Sequence, residues 1–328
     1  MTIISLTTEF IASTDLVELS VYKYGLNNHS RDISRTSQSP HNSKPAVMMS
    51  HATGFHGRCF DPVVEYLQTD FACTSFDFRG YGDSLLDKDW PVDWQGYCDD
   101  ALAVARSLKN QNQIIAVGHS MGAAALAMAA LIEPELFKAL ILYEPIIFPA
   151  PIRDARTTAN KPSPLVEGAR RRRTTFASRD EAFANYSAKP PMNVFEPGSL
   201  RAYVDHGFND SQNVETNENC VVLKCDPEHE ARTYETGASH ETWERLHLLQ
   251  VPTWIVAGAV APMQPSSWSE LIANQITNAK FVLWPDVGHF GPMQKPHRLA
   301  ELVREVYAIT NTHSGMTKTS SAKNNVVD

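Results

Sequence analysis

The chain predicts an α/β protein: a mostly parallel central sheet with helices on both faces, interrupted by an inserted helical cap. Three observations carry this reading. Short continuous apolar runs alternate with stretches of helical spacing, the pattern of strands buried on both faces and joined by crossover helices. One run, Ile114 to Val117, stops abruptly at Gly118-His119-Ser120-Met121-Gly122, and the alanine-rich stretch Ala123 to Leu131 follows at once. Between residues 146 and 250 the alternation fails, and prolines and helix-like pieces replace the strand runs.

Taken in order, Leu16 to Tyr24 alternates well enough for an early strand, and the polar residues 26–44 read as a loop, partly disordered. Pro45 to Ser50 and Phe71 to Phe76 read as buried strands flanking a helix from Asp61 to Gln68. Apolar residues at Tyr97, Ala101, Val104, Ala105 and Leu108 make Trp94 to Lys109 helical. Then come strand 114–117, helix 121–131 and strand 139–143. Thr253 to Ala257 and Lys280 to Trp284 look like two further buried strands, with a helix near Ser267 to Gln275 between them. A last helix spans Pro296 to Ile309, and the polar residues from Thr310 onward read as disordered. The core is therefore set at 1–145 and 251–312, the cap at 146–250 with helices near 164–177, 179–187, 198–207 and 227–235, and the tail at 313–328.

Composition narrows the classes. The 328 residues suffice for one large α/β domain with an insertion. A net charge of −8 argues against general affinity for nucleic acid or anionic membranes, which need positive surface. No apolar run approaches the ~20 residues of a membrane span. Met1 to Thr14 lacks a basic leader and a cleavage site, so a cytoplasmic protein is expected. Cysteines 59, 73, 98, 220 and 225 are then free thiols. Cys220 and Cys225 have no second ligand pair, so no metal is expected. The run Arg170 to Arg173 reads as a solvated helix face, the alternative being a site for an anionic group. Oligomeric state is not legible.

The chemistry centres on Ser120. A buried strand that ends in Gly-x-Ser-x-Gly and turns into a helix presents the serine on a sharp, strained bend, at a helix N-terminus that favours developing negative charge. A hydroxyl is a poor nucleophile near neutral pH and needs a base, usually histidine, held by a third group. Among 12 histidines, His289 follows a strand in Asp-Val-Gly-His-Phe, at the sheet end where ligands collect. His119, next to Ser120, is expected to point away and pack beside the sheet. His51 orients its own loop, and His56 nearby is placed in the pocket wall.

With these residues in view the chain resembles the α/β-hydrolase superfamily, in its cap-bearing branch. Besides the elbow it shows Asp77-Phe78-Arg79-Gly80-Tyr81-Gly82-Asp83-Ser84, similar to the family's strand-end turn, and Gly288-His289-Phe290, similar to its histidine loop. His51-Ala52-Thr53-Gly54-Phe55 stands where the family carries its oxyanion loop, with Ala52 in place of the usual glycine. The resemblance implies an oxyanion hole of the Met121 amide and that of Thr53 or Gly54, and substrate contacts from Phe55, His56 and Phe148. The family's acid usually follows the strand that here is Thr253 to Ala257, yet Gly258 to Pro265 carries no carboxylate. Glu270 lies too far along and Asp286 too near His289. Some members, haloalkane dehalogenases among them, carry the acid one strand earlier, which points to Glu144.

The implied activity is a serine hydrolase that cleaves a small or medium, fairly apolar ester or related acyl compound through an acyl-enzyme, without a cofactor. Serine at the elbow argues against dehalogenase or epoxide-hydrolase chemistry, which uses aspartate there. C–C bond cleavage, lactone opening and acyl transfer by the same triad stay open, as does a silent binding protein on the same fold. Of the aromatics in 146–250, Phe148, Phe176, Phe183, Tyr186, Phe195, Tyr203 and Phe208, most should form the insert's own core and a few should wall the pocket.

Overall fold

The structure, a computed structural model, describes residues 4–26, 44–109, 113–157, 163–213 and 216–320. In chain order its first elements are β1 (Ile4–Ala12), β2 (Glu18–Leu26), β3 (Ala46–Ser50), α1 (Asp61–Leu67), β4 (Ala72–Phe76), α2 (Trp94–Ser107), β5 (Ile114–His119), α3 (Met121–Ile132) and β6 (Phe137–Tyr143). There follow α4 (Ala150–Thr157), α5 (Pro164–Arg170), β7 (Thr175–Phe176), α6 (Arg179–Ser187), α7 (Pro197–Gly207), β8 (Phe208–Gln212), β9 (Asn219–Leu223), α8 (Pro227–Glu235) and α9 (Thr242–Arg245). The chain then returns to the first sheet through β10 (Thr253–Ala257), α10 (Ser269–Gln275), β11 (Ala279–Leu283), α11 (Gly291–Gln294) and α12 (Pro296–Ser320).

The main sheet has eight strands in the order β1-β2-β4-β3-β5-β6-β10-β11. β2 pairs antiparallel with both β1 and β4, and every other pairing is parallel. The apolar runs explain the centre: all residues of β3, β5 and β10 are buried, as strands covered on both faces must be. α3 is built largely of alanine, and its small side chains let it lie along β5 and β6 while α2 packs against it. Among the described residues no helix is long and apolar enough to cross a membrane. All five cysteines are free and buried.

The structure departs from the expected elements where burial is one-sided or absent. β1 was not expected; as an edge strand with exposed residues such as Phe10, it lacks a continuous apolar run. β11 was expected to be buried, yet it closes the opposite edge with none of its residues buried. Residues 146–250, expected to be mostly helical, also hold a small sheet in the order β7-β9-β8, and the helix expected over 164–177 stops at Arg170. α12 continues past Ile309 to Ser320; the remainder of the expected tail, like most of the loop expected over 26–44, lies outside the described residues.

The turn after β4 is fixed by a buried ion pair. Arg79 and Asp100 are both fully buried, with Nη2 at 2.7 Å from Oδ1 and Nε bonding the same carboxylate. The Arg79 amide also donates to Asp100, and Ser13 Oγ donates to it at 2.6 Å, so the β1–β2 turn, the β4 turn and α2 share one carboxylate. Removing one partner strands a charge in low dielectric, which costs about 3–5 kcal/mol. Asp100→Ala is therefore expected to lower unfolding stability by about that amount, read as a fall in the urea midpoint; a midpoint within error of wild type would refute the assignment.

Candidate active site

The sheet delivers Ser120 at the junction of β5 and α3 with φ +57° and ψ −111°, a conformation that L-residues rarely adopt. Its neighbours are glycine for a steric reason. A Cβ on Gly118 would stand 2.5 Å from the Ala123 Cα, and one on Gly122 would stand 2.5 Å from the Ser50 carbonyl oxygen. The bend is clamped from both sides: the Ser120 amide donates to the Tyr143 carbonyl at 2.9 Å, and the Ile146 amide donates to the Ser120 carbonyl at 3.2 Å.

Glu144 sits at the end of β6, also at positive φ (+43°), and is 1% exposed. Its Oε2 lies 2.6 Å from His289 Nδ1, and its Oε1 accepts the Gly258 amide at 2.8 Å. A carboxylate can only accept, so Nδ1 carries the proton and the neutral ring keeps its lone pair on Nε2. Among the described residues no hydrogen bond is made by that Nε2 or by Ser120 Oγ, and Ser120 and His289 line the same cavity. Asp286 instead pairs with Lys295 and Arg298, which hold its carboxyl down to about 2, and Glu270 stands exposed on α10.

Three further contacts hold the histidine loop, none of them legible in local pattern. Tyr143 Oη donates to the Gly288 carbonyl at 2.6 Å, and the Gly288 amide donates to Gln294 Oε1 at 2.8 Å. His119 does not point away from the site as expected: its Nε2–H donates to the His289 carbonyl at 2.8 Å, with the two rings 5.0 Å apart. Burial pushes His119 well below the ordinary histidine range, which keeps it neutral. The Tyr143 and His119 contacts depend on how β5 and β6 meet a loop 145 and 170 positions away, which no local pattern encodes.

The loop after β3 carries Thr53 and Gly54, both on the cavity wall, with Gly54 at φ +79°. Met121 is the first residue of α3, so its amide belongs to the unpaired first turn, while its side chain is buried away from the cavity. His51 orients this loop: Nδ1–H donates to the Ala52 carbonyl at 2.8 Å, and Nε2 accepts the Phe78 amide at 3.0 Å.

The cavity measures about 680 Å³. Phe55 and Phe148 line it as expected, joined by Trp94, Trp268 and Phe290. His56 does not. Its ring is buried behind the loop, where Nε2 meets the Tyr203 carbonyl at 3.0 Å and Cys59 packs beside it. Of the aromatics in 146–250, Phe148 and Tyr186 reach the cavity together with Tyr234, which the sequence did not single out, and Phe176, Phe195, Tyr203 and Phe208 are buried elsewhere. Residues missed by the sequence reading include Arg172 and Glu230, which both line the cavity.

Comparison with known proteins places the chain in a family. Residues 47–302 match the model of the alpha/beta hydrolase family. The chain belongs to that family. Over 241 residues it is 23% identical to the abhydrolase domain-containing protein ACTT2-1 of Alternaria alternata, covering 62% of this chain and 88% of that one. It is 31% identical over 108 residues to the monoglyceride lipase homolog of Monkeypox virus, covering 32% and 39% of the two chains. Among solved structures, the peroxisomal alpha-beta-hydrolase Lpx1 of Saccharomyces cerevisiae superposes with a TM-score of 0.73 at 17% identity, over 99% of both chains. E-2-(acetamidomethylene)succinate hydrolase superposes with a TM-score of 0.72 at 17% identity, over 93% of this chain and all of that one. At these identities the structural likeness speaks for the alpha/beta hydrolase fold.

Two outcomes test this geometry. Glu144→Gln keeps the size of the side chain but no longer fixes the ring tautomer, so kcat on any turned-over substrate should fall by about 10⁴-fold with the fold retained. Unchanged kcat removes Glu144 from the site. Burial also lowers the His51 pKa from 6.5 to about 4. The unfolded chain therefore takes up that proton first, and this share of stability, present above pH 6.5, is lost as pH falls toward 4. The stability gap between wild type and His51→Gln should narrow by about 2 kcal/mol between pH 7 and pH 5 in urea unfolding; a constant gap contradicts the buried neutral ring.

Proposed function

We propose that this alpha/beta hydrolase is a serine hydrolase of a small or medium ester or related acyl compound, with Ser120 as nucleophile, His289 as base and Glu144 as acid. The observation that carries the reading is the 2.6 Å contact between Glu144 and His289 Nδ1, beside a cavity that Ser120 shares. His289 Nε2 takes the hydroxyl proton as Ser120 Oγ attacks the carbonyl carbon, and Glu144 stabilises the imidazolium. The amides of Met121 and of Thr53 or Gly54 receive the oxyanion; one such donor typically lowers the barrier by about 3 kcal/mol. The imidazolium then protonates the departing alcohol, and the freed His289 activates water to release the acyl group. Residues 146–250 act as a cap in this reading, since Phe148, Leu165, Tyr186, Met192 and Tyr234 from it line the cavity shared with Ser120. The aromatic walls, Trp94, Phe148, Trp268 and Phe290, suit the apolar part of an acyl or alcohol group.

A fluorophosphonate should label the wild type at Ser120, seen as one adduct by intact mass and located by peptide mapping. Ser120→Ala should lose the label and should lower p-nitrophenyl ester turnover by on the order of 10⁶-fold. Folded wild-type protein that neither takes the label nor turns over an ester sinks the proposal.

A further inference from the structure

The arginine run 170–173 divides into two kinds of residue once folded. Arg171 and Arg173 are largely exposed, with side chains 73% and 53% accessible, as a solvated face requires. Arg172 is 14% accessible, and what remains of its surface faces the cavity shared by Ser120 and His289. Burying a guanidinium is costly unless it is paired and hydrogen-bonded, so its surroundings reveal what it is for. Nη1 donates to Glu230 Oε2 and Nη2 to Tyr203 Oη. A guanidinium has five N–H donors, and no further partner is present among the described residues for the other three.

The position of this group matters as much as its charge. A Cβ on Gly54 would stand 2.5 Å from Glu230 Oε1 and 3.3 Å from Arg172 Nη1, so the pair lies directly against the loop carrying the proposed oxyanion amide. Tyr203 Oη, which receives Arg172, reaches the Gly54 carbonyl at 3.4 Å. The wider lining is biased in the same direction. Arg172, Arg173 and Lys189 contribute cations to the cavity wall, against Glu230 as carboxylate. Glu230 is already engaged by Arg172, and Arg173 is balanced from outside by Glu181. Lys189 bonds Asn185 Oδ1 at 2.7 Å and has no carboxylate partner among the described residues.

Resting on the serine-hydrolase reading above, we propose that the substrate is an acyl compound bearing a carboxylate, and that Arg172 receives that carboxylate at the oxyanion-loop side of the cavity. Glu230 and Tyr203 hold the guanidinium in place and leave its free edge to the ligand. Bidentate capture of a carboxylate is what a planar fork with spare donors does best. The aromatic walls then contact the methylene chain between the two functional groups.

The test compares p-nitrophenyl hexanoate with mono-p-nitrophenyl adipate, which share a leaving group and acyl length and differ by the terminal carboxylate. Wild-type kcat/KM should favour the adipate ester by tenfold or more. In Arg172→Gln that ratio should fall at least tenfold, mainly through KM. Glu230→Gln, which removes the competing carboxylate and leaves the guanidinium, should hold or raise the ratio; a purely structural pair predicts that both variants damage both esters alike. A wild-type ratio at or below one, or a ratio that Arg172→Gln leaves unchanged, overturns the proposal. Thermal shift with free adipate against hexanamide keeps the two readings separable. Stabilisation by adipate that depends on Arg172 supports the anion site even if neither ester turns over, an outcome that would count against the serine hydrolase alone; no stabilisation and no ester preference counts against the anion site.

Discussion

The site is organised by a backbone constraint at the end of the central strand. Ser120 is held in a left-handed conformation because three things coincide there: the β5 ladder ends, α3 begins, and the Tyr143 carbonyl and Ile146 amide grip the residue from the neighbouring connection. Such a conformation costs of order 1–3 kcal/mol and persists only where the surroundings over-determine it. Here the surroundings are the fully buried β5 and the tight approach that Gly118 and Gly122 allow. The stability of the sheet is thereby coupled to the exposure of one hydroxyl.

The same connection supplies the partner of the histidine. Because Glu144 directly follows Tyr143, the residues that grip Ser120, anchor Gly288 and bond His289 all fall within Tyr143 to Ile146. A shift of β6 relative to β5 would disturb all three at once. His119, the last residue of β5, adds a fourth tie through the His289 carbonyl. The ends of β5, β6 and β10 and the loop of Gly288 and His289 are therefore tied into one frame, with Ser120 and His289 on the cavity side.

Much of this was legible in the residues. Ser120 stood out because a motif, a preceding apolar run and a following helix all agreed, and consistency across levels is what a foldable sequence provides. His289 and Glu144 were reached through their strand-end positions and chain order, and the structure places the two in contact. What escaped notice has physical causes. The edge strand β1 buries too little to leave an apolar run, and β11, whose run suggested a strand covered on both faces, lies at the opposite edge, a position its own residues do not encode. Tyr143, Gln294 and His119 act through register and loop closure across more than 140 residues or through a tight local turn, so local pattern is silent about them. His56 was misplaced because proximity in sequence to the oxyanion loop does not settle on which side of it a ring falls. Arg172 hid in a run whose average character is that of a solvated face, and its partner Glu230 lies 58 positions away.

The segment after β10 gives the carboxylate only a backbone amide, from Gly258, and the Ala259 amide in turn bonds the Val287 carbonyl. Side chains beyond it, Val260 and Met263, stand 63% and 73% exposed. Because this contact uses the main chain of Gly258, the side chains of Val260 and Met263 take no part in holding Glu144. The exposed side chains can therefore vary while the tie to Glu144 persists, whereas Gly258 itself cannot, since a Cβ there would stand 2.6 Å from the Gly288 carbonyl oxygen.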